Sequence, residues 1–177
     1  MDEIEEDEVT AAGVSAAVAS GVNVNAQRWG QTPLHLTVQP STYSGGSNKL
    51  QAAAALLAAG ADPNFKNANG ETAVWWATCY GTAESLQLVI DCGGSVNEAD
   101  NSGRTPIAAL LTAFRSDVSV TATLSVLLSC PALDLDATYN GKPVEQSARN
   151  PHHAAAIIAE VCLIGTDSGV QCVQLTL

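Results

Sequence analysis

The sequence has 177 residues, of which 46% are hydrophobic and only 5% aromatic, a composition typical of one domain with a core of small side chains. Its net charge of −11 disfavours a nucleic-acid-binding protein, because affinity for a polyanion depends on basic residues.

The first eight residues, MDEIEEDE, form an acidic segment. They contain six of the eighteen acidic residues, so residues 9–177 carry only −5 of the net charge. Such a charge run is typical of a solvated tail, and we assign residues 1–8 to one. The acidic start does not resemble a secretory signal, and no apolar run approaches the length of a membrane span. No membrane partner is therefore expected.

Beyond this segment, one phrase recurs along the chain. It reads GQTPLHLT at 30–37, GETAVWWA at 70–77, GRTPIAAL at 103–110 and, in divergent form, GKPVEQSA at 141–148. A second phrase precedes each copy: SGVNVNA at 20–26, AGADPNF at 59–65, CGGSVNE at 92–98 and CPALDLDA at 130–137. The phrase glycines are 40, 33 and 38 residues apart. Two phrases in register indicate a repeat protein with a basic period of 33 residues.

Each unit is predicted to contain two helices. Thr32, Thr72 and Thr105 stand where a hydroxyl caps a helix N-terminus, and proline or alanine follows each at the first helical position. In the second unit the first helix is predicted from Ala73 to Cys79, and a second one, capped by Thr82, from Ala83 to Asp91. Left-handed C-terminal caps are predicted at Gly21, Gly60 and Gly93.

The two longer periods place insertions of seven residues near 40–47 and of five residues near 115–120. Both fall between the two helices of their unit. Surface loops accept such length at little cost, so neutral insertion is one interpretation. The alternative is that two lengthened loops on one rim enlarge a binding surface.

These phrases resemble the ankyrin repeat family, whose units of 33 residues carry the T-P-L-H signature. The resemblance covers residues 9–161, as an N-terminal remnant and about four units, and leaves 162–177 as a C-terminal tail or cap. It implies an all-α fold, an ankyrin-type helix-turn-helix solenoid with projecting β-turn fingers. In the last unit Pro143 replaces the capping threonine and Glu145 an apolar residue, as expected of a unit that covers the end of a stack.

The sequence contains no phosphate-binding loop, nucleophile elbow, H-E-x-x-H motif or paired Cys/His spacing for zinc. No catalytic residue, cofactor or metal is therefore predicted, and the chain is not expected to be an enzyme. The resemblance implies that His35 forms hydrogen bonds between units. The odd number of five cysteines, without a C-x-x-C pair, favours free thiols and a cytoplasmic or nuclear location.

The resemblance further implies that the protein binds another protein through the concave face formed by the fingers and the first helices. The fingers would be 26–31, 65–71, 98–104 and 137–142, with a net charge of +1. The candidate partner-binding residues of the fingers are Arg28, Trp29, Gln31, Lys66, Asn69, Glu71, Asn101, Arg104, Tyr139 and Lys142. Those of the inner helix are Trp75, Cys79 and Tyr80.

Several aromatic residues fall on this predicted face, and we expect Trp29, Tyr80 and Tyr139 to be at least partly exposed. Trp75 and Trp76 are neighbours on one short helix and point in different directions, so we expect Trp76 in the core and Trp75 either in the groove or in the core. The partner is an unidentified protein, and a monomer is expected. The alternative is a regulatory or adaptor subunit, an inhibitor or substrate receptor, of an enzyme complex.

Overall fold

The computed structural model describes residues 11–39, 46–112, 118–134, 138–139 and 142–143. The acidic segment 1–8, residues 40–45 and 115–117 of the two insertions and residues 144–177 lie outside the described residues. The side chains of Tyr139 and Lys142 also lie outside them. The predictions for the last helix pair and for the C-terminal tail therefore stay predictions.

The secondary structure of the described residues is helical apart from one short strand pair. The helices are α1 (Ala11–Ala19), α2 (Pro33–Thr37), α3 (Gly46–Ala58), α4 (Ala73–Tyr80), α5 (Ala83–Asp91), α6 (Pro106–Thr112) and α7 (Val118–Leu128). Strand β1 (Thr138–Tyr139) pairs antiparallel with β2 (Lys142–Pro143). The predicted all-α class is confirmed.

The helix boundaries follow from threonine caps. At the start of α4, Thr72 Oγ1 accepts a hydrogen bond from the backbone N–H of Trp75 at 3.3 Å. At the start of α5, Thr82 and Ser85 cap each other, each side chain bonding the backbone N–H of the other residue. The predicted boundaries of α5 are therefore confirmed, and α4 extends one residue further, to Tyr80. The predicted left-handed glycines also have positive φ angles, between 79° and 91°.

The helices stack in two rows. The inner row consists of α2, α4 and α6, in which each helix contacts the next, and the outer row consists of α1, α3, α5 and α7. Within each unit the inner helix packs on the outer one, as α2 on α3, α4 on α5 and α6 on α7. A turn, an inner helix and an outer helix thus repeat along the chain, which is the predicted solenoid.

The core lies between the two rows. Leu34, Val74 and Ile107 occupy the same position of the repeated phrase, and all three are fully buried. On α3, Ala52 and Ala53 are also completely buried, and their small side chains allow close contact between helices. The hydrophobic effect of this continuous core holds the units together.

One buried hydroxyl in the core has no hydrogen-bond partner. Thr78 of α4 is completely buried, and its Oγ1 forms no hydrogen bond. Because an unsatisfied buried polar group destabilises the folded state, Thr78→Val is expected to raise the free energy of unfolding by about 1 kcal/mol. Urea denaturation followed by circular dichroism measures this change.

The matched control is Thr37→Val on α2. Thr37 is also buried, but its Oγ1 donates to the backbone oxygen of Leu34 at 3.0 Å. The same substitution should therefore lower the free energy of unfolding there, by about 1 kcal/mol. If both variants shift in the same direction, the assignment of Thr78 as an unsatisfied hydroxyl is wrong.

Candidate functional site

Three turns precede the three inner helices: turn 1 (26–31) leads to α2, turn 2 (65–71) to α4 and turn 3 (98–104) to α6. In turn 2, Asn67 Oδ1 accepts hydrogen bonds from the backbone N–H groups of Asn69 and Glu71. In turn 3, Asp100 Oδ1 bonds Ser102 and Arg104 in the same way. A short polar side chain therefore fixes the conformation of turns 2 and 3.

Turn 1 has a different conformation. The backbone N–H groups of Arg28 and Gln31 each bond the carbonyl oxygen of the other residue, at 2.9 and 3.1 Å. Trp29 and Gly30, between them, both have positive φ angles, of 52° and 79°. The Trp29 side chain is 89% exposed, and the Arg28 guanidinium carbon lies 4.5 Å from the centre of its ring. Turn 1 thus presents an exposed indole with a cation stacked on one side.

Backbone and side-chain hydrogen bonds join the three turns into one line. The N–H of Ala68 donates to Gly30 O, and the N–H of Asn101 donates to Asn69 O, both at 2.9 Å. Long side chains make parallel connections, because Gln27 Nε2 reaches Lys66 O and Lys66 Nζ reaches Ala99 O. Each turn is therefore positioned by its neighbour.

The basic residues of the three turns differ in their ion pairs. Lys66 pairs with Glu98 at 3.0 Å, and both side chains are nearly half exposed. Arg104 pairs with the buried carboxylate of Asp100 at 2.7 Å. Arg28 is exposed, and no acidic side chain of the described residues pairs with it. The uncommitted positive charge of the described turns is therefore concentrated in turn 1.

The α4 aromatic side chains form a cluster that ends at the surface. Trp75 Nε1 donates to the backbone oxygen of Arg104, whose guanidinium carbon lies 5.4 Å from the Trp75 ring centre. The Tyr80 ring rests against both Trp75 and Trp76, at centroid distances of 6.1 and 5.3 Å. Tyr80 is 44% exposed, and partial burial raises the pKa of its hydroxyl.

Trp75 and Cys79 are buried, at 3% and 4% exposure, so the groove position considered for Trp75 and predicted for Cys79 is wrong. The reason is that α4 lies between α2 and α6 and packs on α5. In addition, Arg104 of turn 3 lies over the Trp75 ring and accepts its N–H. Trp76 is buried, as predicted. Only Tyr80, at the end of the helix, stays exposed.

Glu71 is a buried carboxylate rather than a surface group. Its Oε2 accepts hydrogen bonds from Trp76 Nε1 at 2.6 Å and from Asn67 Nδ2 at 2.8 Å. Its backbone oxygen accepts a hydrogen bond from the ring nitrogen Nε2 of His35, in the preceding unit, at 3.0 Å. The predicted hydrogen bond of His35 between units is therefore present, and Glu71 stabilises the array through buried hydrogen bonds.

The hydrogen bonds of His35 determine its tautomer. Since the carbonyl oxygen of Glu71 can only accept, Nε2 must carry the proton. In the neutral ring Nδ1 is then an acceptor for the hydroxyl and backbone N–H of Thr32, at 2.7 and 3.4 Å. A second proton on Nδ1 would remove this acceptor and point at the two donors of Thr32, which disfavours the charged ring. Burial accordingly lowers the pKa of His35 below its ordinary value of 6.5, against an opposing contribution from Glu71.

This lowered pKa predicts a loss of stability on acidification. Below pH 6.5 the unfolded chain binds a proton at His35 that the folded chain excludes, so the free energy of unfolding falls by up to about 1.4 kcal/mol per pH unit until the folded pKa is reached. Urea denaturation between pH 7.5 and 5.5 measures the slope. His35→Asn, which retains His152 and His153, should be less stable at pH 7.5 and lack this slope. Parallel profiles of the two proteins would contradict the prediction.

Three asparagines, each directly before a turn, also join successive units. The side-chain oxygens of Asn25, Asn64 and Asn97 accept the backbone N–H groups of residues 62, 95 and 134 in the following unit, at 2.7 to 2.9 Å. The three asparagines occupy one position of the phrases SGVNVNA, AGADPNF and CGGSVNE. The repeated phrases contain these asparagines, but the sequence predicted no role for them.

A family model described as ankyrin repeats, in three copies, matches residues 41–138, which is more than half of the chain. The chain belongs to the ankyrin repeat family. Ankyrin repeats are generally protein–protein interaction modules, and the family is typically non-enzymatic.

The ankyrin repeat array exposes some of the candidate residues and buries others. The exposed or partly exposed ones are Arg28, Trp29, Gln31, Lys66, Asn69, Tyr80, Asn101 and Arg104. The buried ones are Glu71, Trp75 and Cys79. The expected exposure of Trp29 and Tyr80 is confirmed, whereas the side chains of Tyr139 and Lys142 lie outside the described residues.

Sequence reasoning missed Leu36, which is 42% exposed on the inner helix α2 of the ankyrin repeat array. It occupies the phrase position of the buried Trp76 and Ala109, so the repeat pattern alone predicts a core residue.

The described ranges contain no group of His, Cys, Asp and Glu side chains arranged to hold a metal. Nor does any described helix have the length and apolarity needed to cross a bilayer. Cys79, Cys92 and Cys130, the cysteines within the described ranges, form no disulfide.

Proposed function

We propose that this ankyrin repeat protein binds a partner protein and has no catalytic activity of its own. The proposed contact surface, named the turn face, runs along the three turns and the exposed parts of the inner helices. It comprises Arg28, Trp29, Leu36, Lys66, Tyr80 and Arg104.

The observation that carries this proposal is the distribution of exposed large apolar side chains. The described residues contain four of them, and three, Trp29, Leu36 and Tyr80, lie on turn 1 or the inner helices. The fourth, Val22, follows α1. Within the described side chains, none lies on the outer helices α3, α5 or α7. Exposed aromatic residues next to arginine are typical of the residues that dominate binding energy at protein interfaces.

The buried polar chemistry supports a binding rather than a catalytic function. His35 uses both ring nitrogens within the array, and the Glu71 carboxylate is bonded to Asn67 and Trp76. The buried Asp100 carboxylate is bonded to Arg104 and to backbone N–H groups of turn 3. These groups hold the structure together through hydrogen bonds within the array.

We also propose an intracellular location and a monomeric state for the chain. The three described cysteines, which form no disulfide, agree with a reducing compartment.

Affinity capture from extracts of the cells that express the protein tests the proposal. Three baits are compared by quantitative mass spectrometry: the wild type, a double variant Trp29→Ala with Tyr80→Ala, and Gln87→Ala. The double variant removes exposed side chains of the turn face, whereas Gln87 is an exposed residue of the outer helix α5. A partner of the turn face is retained by the wild type and Gln87→Ala and is lost from the double variant.

Circular dichroism of the three baits shows whether they are equally folded. If folded baits capture the same proteins in the same amounts, the turn face is not the binding surface. If the partner is lost only from Gln87→Ala, the outer row binds it instead.

A further inference from the structure

Turn 1 has a longer side chain than turns 2 and 3 at the position whose side chain caps those two turns. Counted back from the turn glycines Gly30, Gly70 and Gly103, the same position holds Gln27, Asn67 and Asp100. Asn67 and Asp100 are short enough for their side-chain oxygen to accept two backbone N–H groups of their own turn. Gln27 is one methylene longer, and its amide reaches out to Lys66 O at 3.1 Å instead.

The consequence is the left-handed conformation of Trp29. Without the side-chain cap, turn 1 closes by the two hydrogen bonds between Arg28 and Gln31, and both central residues have positive φ, as in a type I′ turn. A positive φ is unfavourable for a residue as bulky as tryptophan. In turns 2 and 3, Asn69 and Ser102 take the corresponding position without positive φ. The repeat fold therefore does not itself require the strained conformation.

The same conformation exposes the indole almost completely and stacks the Arg28 guanidinium on it. Strained residues that the fold does not need are concentrated at binding sites. Arg28 can pair with a carboxylate through two parallel hydrogen bonds, and the indole offers a rigid apolar surface beside it. Arg28 has no ion-pair partner among the described residues.

We propose that turn 1 is the specificity anchor of the turn face and binds a protein segment in which an Asp or Glu lies next to an apolar side chain. The carboxylate pairs with Arg28, and the apolar side chain packs on the Trp29 indole. This inference rests on the proposed protein-binding function and specifies the chemistry of the partner.

A displayed library of random peptides, selected on the full chain, tests the partner chemistry. The selected peptides are expected to be enriched in Asp and Glu next to apolar residues. A selected peptide should bind Arg28→Ala and Trp29→Asn at least about tenfold more weakly than the wild type in a titration followed by fluorescence polarisation. Arg28→Lys, which keeps the charge but not the planar fork, should retain part of the affinity.

Thermal unfolding separates this binding role from a purely structural one. Asparagine tolerates positive φ better than tryptophan, so Trp29→Asn should raise the unfolding midpoint by about 3 °C while it weakens the peptide. In Gln27→Asn the shorter amide at position 27 can cap turn 1 as Asn67 caps turn 2, which releases Trp29 from its strained conformation. This variant is also expected to be more stable and to bind the peptide more weakly.

Three results would overturn the inference. If the selected peptides lose affinity in Tyr80→Ala but bind Trp29→Asn and Arg28→Ala like the wild type, turn 1 is not the anchor, although the proposed function stands. If Trp29→Asn and Gln27→Asn both unfold at a lower temperature than the wild type, Trp29 is a structural residue. Selection of peptides without acidic enrichment would refute the stated partner chemistry.

Discussion

Gly70→Ala is expected to lower the free energy of unfolding by about 3 kcal/mol, because it places a methyl group where two turns meet at a left-handed residue. Gly70 has a φ of 77°, and a Cβ there would lie 2.7 Å from the backbone nitrogen of Asn101. That nitrogen donates to Asn69 O, a hydrogen bond that joins turns 2 and 3. The substitution therefore strains turn 2 and separates it from turn 3. Urea denaturation measures the loss.

Gly103→Ala is the matched control for this prediction. Gly103 occupies the same position of turn 3 with a φ of 76°, but a Cβ there meets no atom of the described residues within 4 Å. Among the described residues only the conformational strain applies, and the expected loss is about 1 kcal/mol. The difference between the two variants therefore measures the contact between turns. Equal losses would mean that turns 2 and 3 do not depend on this close approach.

Glu71→Ala is expected to cost a similar amount, about 3 kcal/mol, for a different reason. The substitution leaves two buried donors without their acceptor, Trp76 Nε1 and Asn67 Nδ2. The control is Glu98→Ala in turn 3, where the carboxylate is exposed and its ion pair with Lys66 contributes less than about 1 kcal/mol.

A double-mutant cycle isolates the Glu71–Trp76 interaction. Trp76→Phe keeps the ring in place and removes the N–H, so Glu71→Ala should cost less in this background than in the wild type. We expect a coupling energy of about 2 kcal/mol, as for a hydrogen bond to a buried charged group. Additive losses would show that the indole N–H does not stabilise the Glu71 carboxylate.

The local structure of the units was predictable because short sequence patterns specify it. Thr72 and Thr82 place helix starts through hydrogen bonds within a few residues, and the glycines that need positive φ mark the helix ends. The position of Leu34 and Val74 in the core follows from the same phrase. These features depend on neighbours in sequence and on the repeat.

The burial of α4 was not predictable in the same way. Seven of its eight residues, Ala73 to Cys79, are buried, so no groove-facing stripe remains. This result depends on turn 3, whose Arg104 side chain lies over Trp75, and on helices that pack against α4 from several sides. A periodic pattern predicts which side of a helix is apolar but not how many neighbours cover it.

The turn face was predictable only in outline. The sequence indicated exposed residues in the turns, and Trp29 and Tyr80 are exposed. It did not show that the two arginines differ in their ion pairs. Arg28 has none among the described residues, whereas Arg104 is bonded to Asp100. Nor did it predict the left-handed Trp29, which follows from the absence of a short side chain at Gln27. These distinctions depend on hydrogen-bond geometry within each turn.

Hydroxyl-radical footprinting of the captured complex shows whether a partner protein docks on turn 1. Oxidation of Trp29 is compared between the free chain and the complex, with the partly exposed Leu88 of the outer helix α5 as the internal control. We expect the partner to protect Trp29 severalfold and to leave the oxidation of Leu88 unchanged. Oxidation of Trp29 at the same rate in the complex as in the free chain would contradict it.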